Sequence, residues 1–186
     1  MIGAIVAGTL SAPTAPVTSS YESIATVTLG STQTTISFTS IPSTFKHLQV
    51  RGIARGTFAA TNLNLCMQVN SDTGNFYTTH QLLGDGASAT ASGQTAQAFG
   101  FVGRIAQASA TSNVFGASVI DILDYTNTNK NTTIRALGGY DANGNGYATL
   151  MSTAYIKTDA ITSIQIFGNL GDLVQYSSFA LYGIKG

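Results

Sequence analysis

The chain is poor in the residues that most often announce a chemistry. Its 186 residues include one cysteine, Cys66, so no disulfide can close within the chain, and no Cys/His cluster has the spacing of a structural zinc site. Charge is scarce: 9% of residues are Asp, Glu, Lys or Arg, against roughly 25% in an ordinary soluble domain. Eight basic and eight acidic residues cancel to a formal net charge of zero. That leaves no electrostatic footprint for a nucleic acid or an anionic membrane, and neither is expected as a partner. The apolar run at 2–10 lacks a basic n-region and falls far below the roughly twenty residues needed to span a bilayer, so it reads as neither a secretory signal nor a membrane anchor. Gly138-Gly139 does not open a helix, no Walker-type phosphate loop occurs, and no internal repeat of roughly 20 to 50 residues is apparent.

What fills the chain instead is Ser, Thr, Asn, Gln and Gly, so hydroxyls and amides must wet the surface. The length suits one domain with a substantial core. Residues 11–20 hold two of the three prolines among small side chains, which favours an extended linker. With the apolar run before it, this segment forms an N-terminal arm over 1–20, and the domain proper covers 21–186. Short alternating runs then recur at 21–29, 34–38, 47–55, 63–70, 97–104, 114–123, 132–138, 148–156, 163–167 and 176–184. Without any long helical pattern, roughly nine or ten strands predict an all-β fold: a single antiparallel β-sandwich or jelly roll with an extended N-terminal arm. The first and last strands are expected to close the domain. Alternation is cleanest at 63–69, where Leu63, Leu65, Met67 and Val69 share one face and Cys66 points to the other. Residues 85–93, small and low in complexity, read as an exposed loop, and the Asn-rich 126–131 as a hairpin turn into 132–137.

Few residues suggest a site. Asp141, Asn143 and Asn145 place oxygen side chains at alternate positions before Gly146, like the opening of an EF-hand loop, but the position of the required bidentate Glu is Ser152. A Gly/Asn hairpin turn explains the segment without a metal, and no metal or cofactor is expected. Asn70, Asp72 and Asn75 pose the same choice, with Asx-turn chemistry as the plainer account. Either loop can instead face a ligand, since rigid sheets display binding residues on loops. Tyrosines at loop edges stack on sugars as readily as they fill strand ends; Tyr140 and Tyr147, beside the Asn/Gly turn, are the better candidates for ligand contact, with Tyr77 beside the other loop. A Cys66 nucleophile would need His47 or His80 beside it, and a small buried thiol is the simpler reading. Asp121 and Asp124 fall on opposite faces of a strand, a poor acid/base couple; hydrogen bonds near Arg104 or Arg135 suit them better. Arg51 and Arg55 share a strand face, a weak anion-site signal.

Six segments stand out in order: Tyr21-Glu-Ser-Ile-Ala-Thr-Val-Thr-Leu29, Ile36-Ser-Phe-Thr-Ser-Ile-Pro-Ser-Thr-Phe45, His47-Leu-Gln-Val-Arg51, Asn70-Ser-Asp-Thr-Gly-Asn75, Phe115-Gly-Ala-Ser-Val-Ile-Asp-Ile-Leu-Asp-Tyr125 and Ser177-Ser-Phe-Ala-Leu-Tyr-Gly-Ile-Lys-Gly186. Taken together they resemble a family of small tailed-bacteriophage virion proteins of the tail-fibre, minor-tail or head-decoration type. The resemblance implies a non-enzymatic structural protein on the virion surface, partnered by other tail or capsid proteins and by a host-surface glycan or protein. By analogy it also implies a homo-oligomer, a trimer. It carries no catalytic residue. The apolar arm positions Ile2, Ile5, Val6 and Leu10 are the candidates for virion attachment, by strand addition to a neighbouring subunit.

Overall fold

Twelve β-strands form in the computed structural model, which describes residues 19–186. The strands are β1 (Tyr21–Thr28), β2 (Thr35–Phe38), β3 (His47–Ala54), β4 (Asn62–Val69), β5 (Tyr77–Gly84) and β6 (Ala89–Gln97) in the first half. The second half adds β7 (Gly100–Ala106), β8 (Gly116–Leu123), β9 (Thr132–Asp141), β10 (Gly146–Tyr155), β11 (Ile164–Gly168) and β12 (Ser178–Ile184). No helix occurs among the described residues. The attachment candidates Ile2, Ile5, Val6 and Leu10 lie outside the described residues.

The strands form an eight-stranded sheet ordered β1-β12-β3-β8-β9-β10-β5-β6 and a four-stranded sheet ordered β2-β11-β4-β7. Setting aside the hairpins β5–β6 and β9–β10 leaves β1-β12-β3-β8 facing β2-β11-β4-β7, the interleaved order of a jelly roll. The two hairpins extend the larger sheet alone. The expected sandwich is therefore present, and its first and last strands do pair, Tyr21 opposite Ile184.

The core lies between the sheets. Leu48, Val50, Ile120, Ile122, Ile134 and Met151 from the large sheet meet Leu65, Met67, Val69, Ile164 and Ile166 from the small one, all buried. Each is the inward half of an alternating strand, as on β8, where Gly116, Ser118, Ile120 and Ile122 are buried and their neighbours are not.

Strand β7 approaches the large sheet most closely, because glycine lines the contact. A Cβ at Gly103 would lie 2.2 Å from Ser118 Oγ, one at Gly100 2.3 Å from Thr153 Cγ2, and one at Gly116 2.8 Å from the Arg104 carbonyl oxygen. As the edge of the small sheet, β7 would leave backbone groups without ladder partners. Two buried threonines of the large sheet take them: Phe101 N–H donates to Thr79 Oγ1 at 3.2 Å, and Thr153 Oγ1 donates to the Phe101 carbonyl at 2.9 Å.

Two expectations need correction. Of the expected loop at 85–93, residues 89–93 are strand: they open β6, paired with β5 around a short turn in which Asp85 Oδ1 accepts the N–H groups of Ala87 and Ser88. Residues 77–84, absent from the expected strands, likewise form one, β5. Both strands are hard to see because Ala, Ser, Thr, Gly and Gln give β6 no apolar alternation.

The tight seat of β7 predicts an asymmetry among glycines. Gly116→Val should cost about 1–3 kcal/mol by overpacking against the backbone of Arg104 and Ile105. Gly84→Ala, with no atom within 4 Å of its Cβ, should stay within about 0.5 kcal/mol; urea titration of both variants measures the difference.

Candidate functional site

The connections divide between the two ends of the sandwich. At one end, which we call the base, lie Ser20, Tyr21, Lys46, Asp124 and the turn after β4: Tyr21 pairs with Ile184, Ile184 with His47, and Asp124 N–H donates to His47 Nδ1. At the opposite end lie the β5–β6 and β9–β10 turns and the β7–β8 loop, joined where Thr111 Oγ1 donates to the Ala142 carbonyl. Ten residues of β10 separate the ends, about 30 Å at roughly 3.3 Å per residue. The two loops singled out in the sequence therefore cannot form one site.

The turn at 70–75 is locked from within. Asn70 and Ser71 both have φ 54°, and Asp72 N–H donates back to the Val69 carbonyl at 2.9 Å, a two-residue turn of primed type. Asn70 Nδ2 donates to the Ala160 carbonyl while its Oδ1 accepts the Thr162 N–H. Asp72 Oδ2 accepts from Tyr155 Oη at 2.7 Å and Lys157 Nζ at 3.0 Å, and Oδ1 from the Gly74 N–H at 2.9 Å. The Tyr155 hydroxyl, then the Gly74 amide, hold the Asp72 carboxyl below its ordinary range. Tyr77 is fully buried against Tyr155, ring centroids 5.1 Å apart, and donates its hydroxyl towards the Val69 carbonyl. Asn70, Asp72 and Tyr77 thus serve the fold, which corrects their reading as ligand contacts; Asn75 alone of the four is exposed.

The far end keeps more of its expected character. Ala142 N–H donates to the Asn145 carbonyl at 2.7 Å, with Asn143 at φ 60° and Gly144 at φ 97°, so the hairpin turn is of type I′. Asp141 Oδ1 accepts the Asn143 N–H at 2.7 Å, the task a turn carboxylate performs without a metal. Asp141, Asn143 and Asn145 are exposed. Tyr140 and Tyr147 are not on the turn's outer surface: both follow the inward parity of their strands, pack at 6.1 Å, and lie under Arg104, whose guanidinium is 4.4 Å from the Tyr147 centroid. Tyr140 is buried, which pushes its phenol up. These two rings plug the gap between the sheets, a correction to their reading as ligand contacts.

On the outer side of the large sheet, the same turns border an open concavity of about 1040 Å³. Its floor is bare backbone and methyl: Gly84, Ala117, Gly139 and Ala148. Gly139 permits no side chain, since its φ is 148° and a Cβ would lie 1.9 Å from the Tyr147 carbonyl oxygen. One wall carries Asp85 and the other Asp141. Of the residues singled out in the sequence, Tyr140, Asp141, Asn145 and Tyr147 border this concavity; its floor is not legible in the sequence, because the floor residues are the outward halves of strands read only for their inward halves.

The remaining candidates are structural. Asp121 accepts from Gln49 at 2.7 Å and Arg135 at 3.1 Å, the role anticipated for it, and Asp124 bridges Lys46 and Lys130 just after β8. Arg51 and Arg55 part company: Arg51 lies between Tyr21 and Tyr182, while buried Arg55 donates to the carbonyls of Ala108, Ala110, Thr111 and Val114. Burial pushes the Cys66 thiol far up, the opposite of what a nucleophile requires, and its cross-strand neighbours are Phe101 and Phe167. Among the described residues, no group of three or more His, Cys, Asp or Glu converges as metal ligands.

No family model, curated protein or solved structure matches the chain.

The locked turn predicts acid sensitivity. A carboxylate whose pKa is lower in the folded state contributes stability above its unfolded value, near pH 4, and loses that contribution as pH falls through the folded value. Asp72 and Asp124, the latter held at about 2 by Lys130 and Lys46, both have that sign. The thermal midpoint of the wild type should fall between about pH 4 and 2, and Asp72→Asn should be less stable at pH 7 yet show a shallower acid decline. Scanning calorimetry across that range checks both.

Proposed function

We propose that this protein is a non-enzymatic structural protein displayed on a tailed-phage virion, acting as a tail-associated host-binding module. The observation that carries this reading is the opposition of the two ends. The described domain begins at the base, where Lys185 N–H donates to the Ser20 carbonyl, while the exposed polar turns 85–88, 111–113 and 142–145 gather at the other end. An arm docked on a particle would hold those turns outward. Their hydroxyls, amides and carboxylates suit a glycan or protein surface, and the resemblance in sequence points to the same class.

The jelly roll agrees with this, since viral coat and lectin domains use that architecture, although architecture alone does not assign a role. Weak contacts at each turn cluster would become firm attachment through many copies. Head decoration through the N-terminal arm is the second reading, since an arm that joins the domain at the base serves attachment to a capsid shell as well as to a tail. Oligomerisation and partnership with other virion proteins belong to both.

Electron microscopy of particles labelled with antibody against residues 21–186 tests the assignment. Label on tail tips or fibres is the expected result; label over the head would select decoration, and bare particles would remove the virion reading. With tail label established, Ala87→Arg combined with Asn145→Arg should lower host adsorption at least about tenfold while leaving label density unchanged. Unimpaired adsorption would exclude these turns as the receptor contact.

A further inference from the structure

The outward side chains of the large sheet are sorted into rows that cross its strands. One row is aliphatic: Val119, Leu137, Leu150 and Leu82 are direct cross-strand neighbours on β8, β9, β10 and β5. They are 39%, 63%, 47% and 50% exposed. Towards the base runs a polar row, Asp121, Arg135, Ser152 and His80, and towards the turns runs the row of Ala117, Gly139, Ala148 and Gly84. Four large aliphatic groups in line are a contiguous apolar patch, unlike apolar residues scattered singly over a surface.

We propose that two copies of this chain associate through this face, about a two-fold axis parallel to the strands and running between β9 and β10. The axis follows from the rows. Rotation about a line parallel to the strands reverses strand order but keeps each row against itself, so Leu137 of one copy meets Leu150 of the other and Val119 meets Leu82. In the polar row Asp121 comes opposite His80 and Arg135 opposite Ser152. In the small row Gly139 comes opposite Ala148, and the concavity becomes a slot shared by both copies. Rotation about the perpendicular in-plane line would instead set the polar row on the small row, stranding Arg135 over bare glycine.

Size and charge both permit a second copy as the occupant. The six strands from β3 to β6, at about 4.8 Å per strand and eight residues of about 3.3 Å, present about 760 Å². A standard interface buries about 800 Å² on each partner. Charge on the face is sparse: Asp121 and Arg135 pair at 3.1 Å within each copy, Arg51 stays at the margin between two tyrosines, and the carboxylates beside the slot, Asp85 and Asp141, sit in the end turns beyond the small row, each accepting backbone N–H from its own turn. The arrangement also brings both bases to one side, so two arms would reach the same particle. That last consequence rests on the proposed function; the dimer does not.

Sedimentation velocity on the whole chain tests the contact. The expected result is a dimer, with Leu137→Asp weakening association at least about tenfold and leaving the thermal midpoint of the monomer unchanged, because Leu137 lies outside the core. Orientation is read with Ala148→Cys and a bismaleimide of about 10 Å span, the usual spacing of stacked sheets; buried Cys66 should not compete. The two-fold arrangement predicts a covalent dimer. A monomeric wild type, an odd number of copies, indifference to Leu137→Asp, or no cross-link through Ala148→Cys would each overturn the proposal. Particle labelling reads the virion assignment separately.

Discussion

The close seat of β7 on the large sheet is the contact on which the remaining architecture depends. A jelly roll needs four strands on each side, yet here the larger sheet carries four more, and β7 is the strand of the small sheet packed against β8, β9 and β10. Glycines at 100, 103 and 116 let the backbones approach. Thr79 and Thr153 then satisfy the edge groups of Phe101 and each other, at 2.8 Å between their hydroxyl oxygens. Each such bond contributes only about 0.5–1.5 kcal/mol net, but leaving the same groups buried and unpaired would cost about 1–3 kcal/mol. The hydroxyls therefore act less as glue than as a condition for β7 to lie there at all.

That contact explains which parts of the fold could be read from the sequence. Strands facing the apolar core, such as 63–69 and 116–123, alternate cleanly and are apparent from pattern alone. Strand β5 turns Tyr77 and Thr79 inward, a tyrosine and a threonine, and β6 is exposed along nearly its whole length, so neither bears the aliphatic alternation that marks a strand. Strand order is a property of pairing between distant segments and leaves no local trace. The Asn143-Gly144 turn was plain because type I′ geometry needs left-handed residues at both central positions. The tyrosines were misread because a ring beside an exposed turn can follow either strand face, and only register decides between them.

Register also separates the two ends. Tyr140 and Tyr147 go inward for the same reason that Leu137 and Leu150 go outward: an offset of three residues on a strand changes the face. A one-residue slip of β9 would expose Tyr140 and bury Leu137, so the rings under Arg104 help to fix the row outside. The buried plug and the apolar row are two readings of one register. The exposed turns at 85–88 and 142–145 close these same hairpins, so whatever fixes the register also fixes how the turns are presented.

The apolar row is the more telling because of the company it keeps. With 9% charged residues, this surface relies on threonine, serine, asparagine and glutamine for hydration, and such side chains were available at 119, 137, 150 and 82 without loss to the core. A β-branched or hydroxylic residue suits an exposed strand position at least as well as leucine. Leucine at three of these positions therefore has no account in the folding of one copy, and Val119 continues the same row. The row has one in the burial of that face, where four aliphatic groups in register would leave water together.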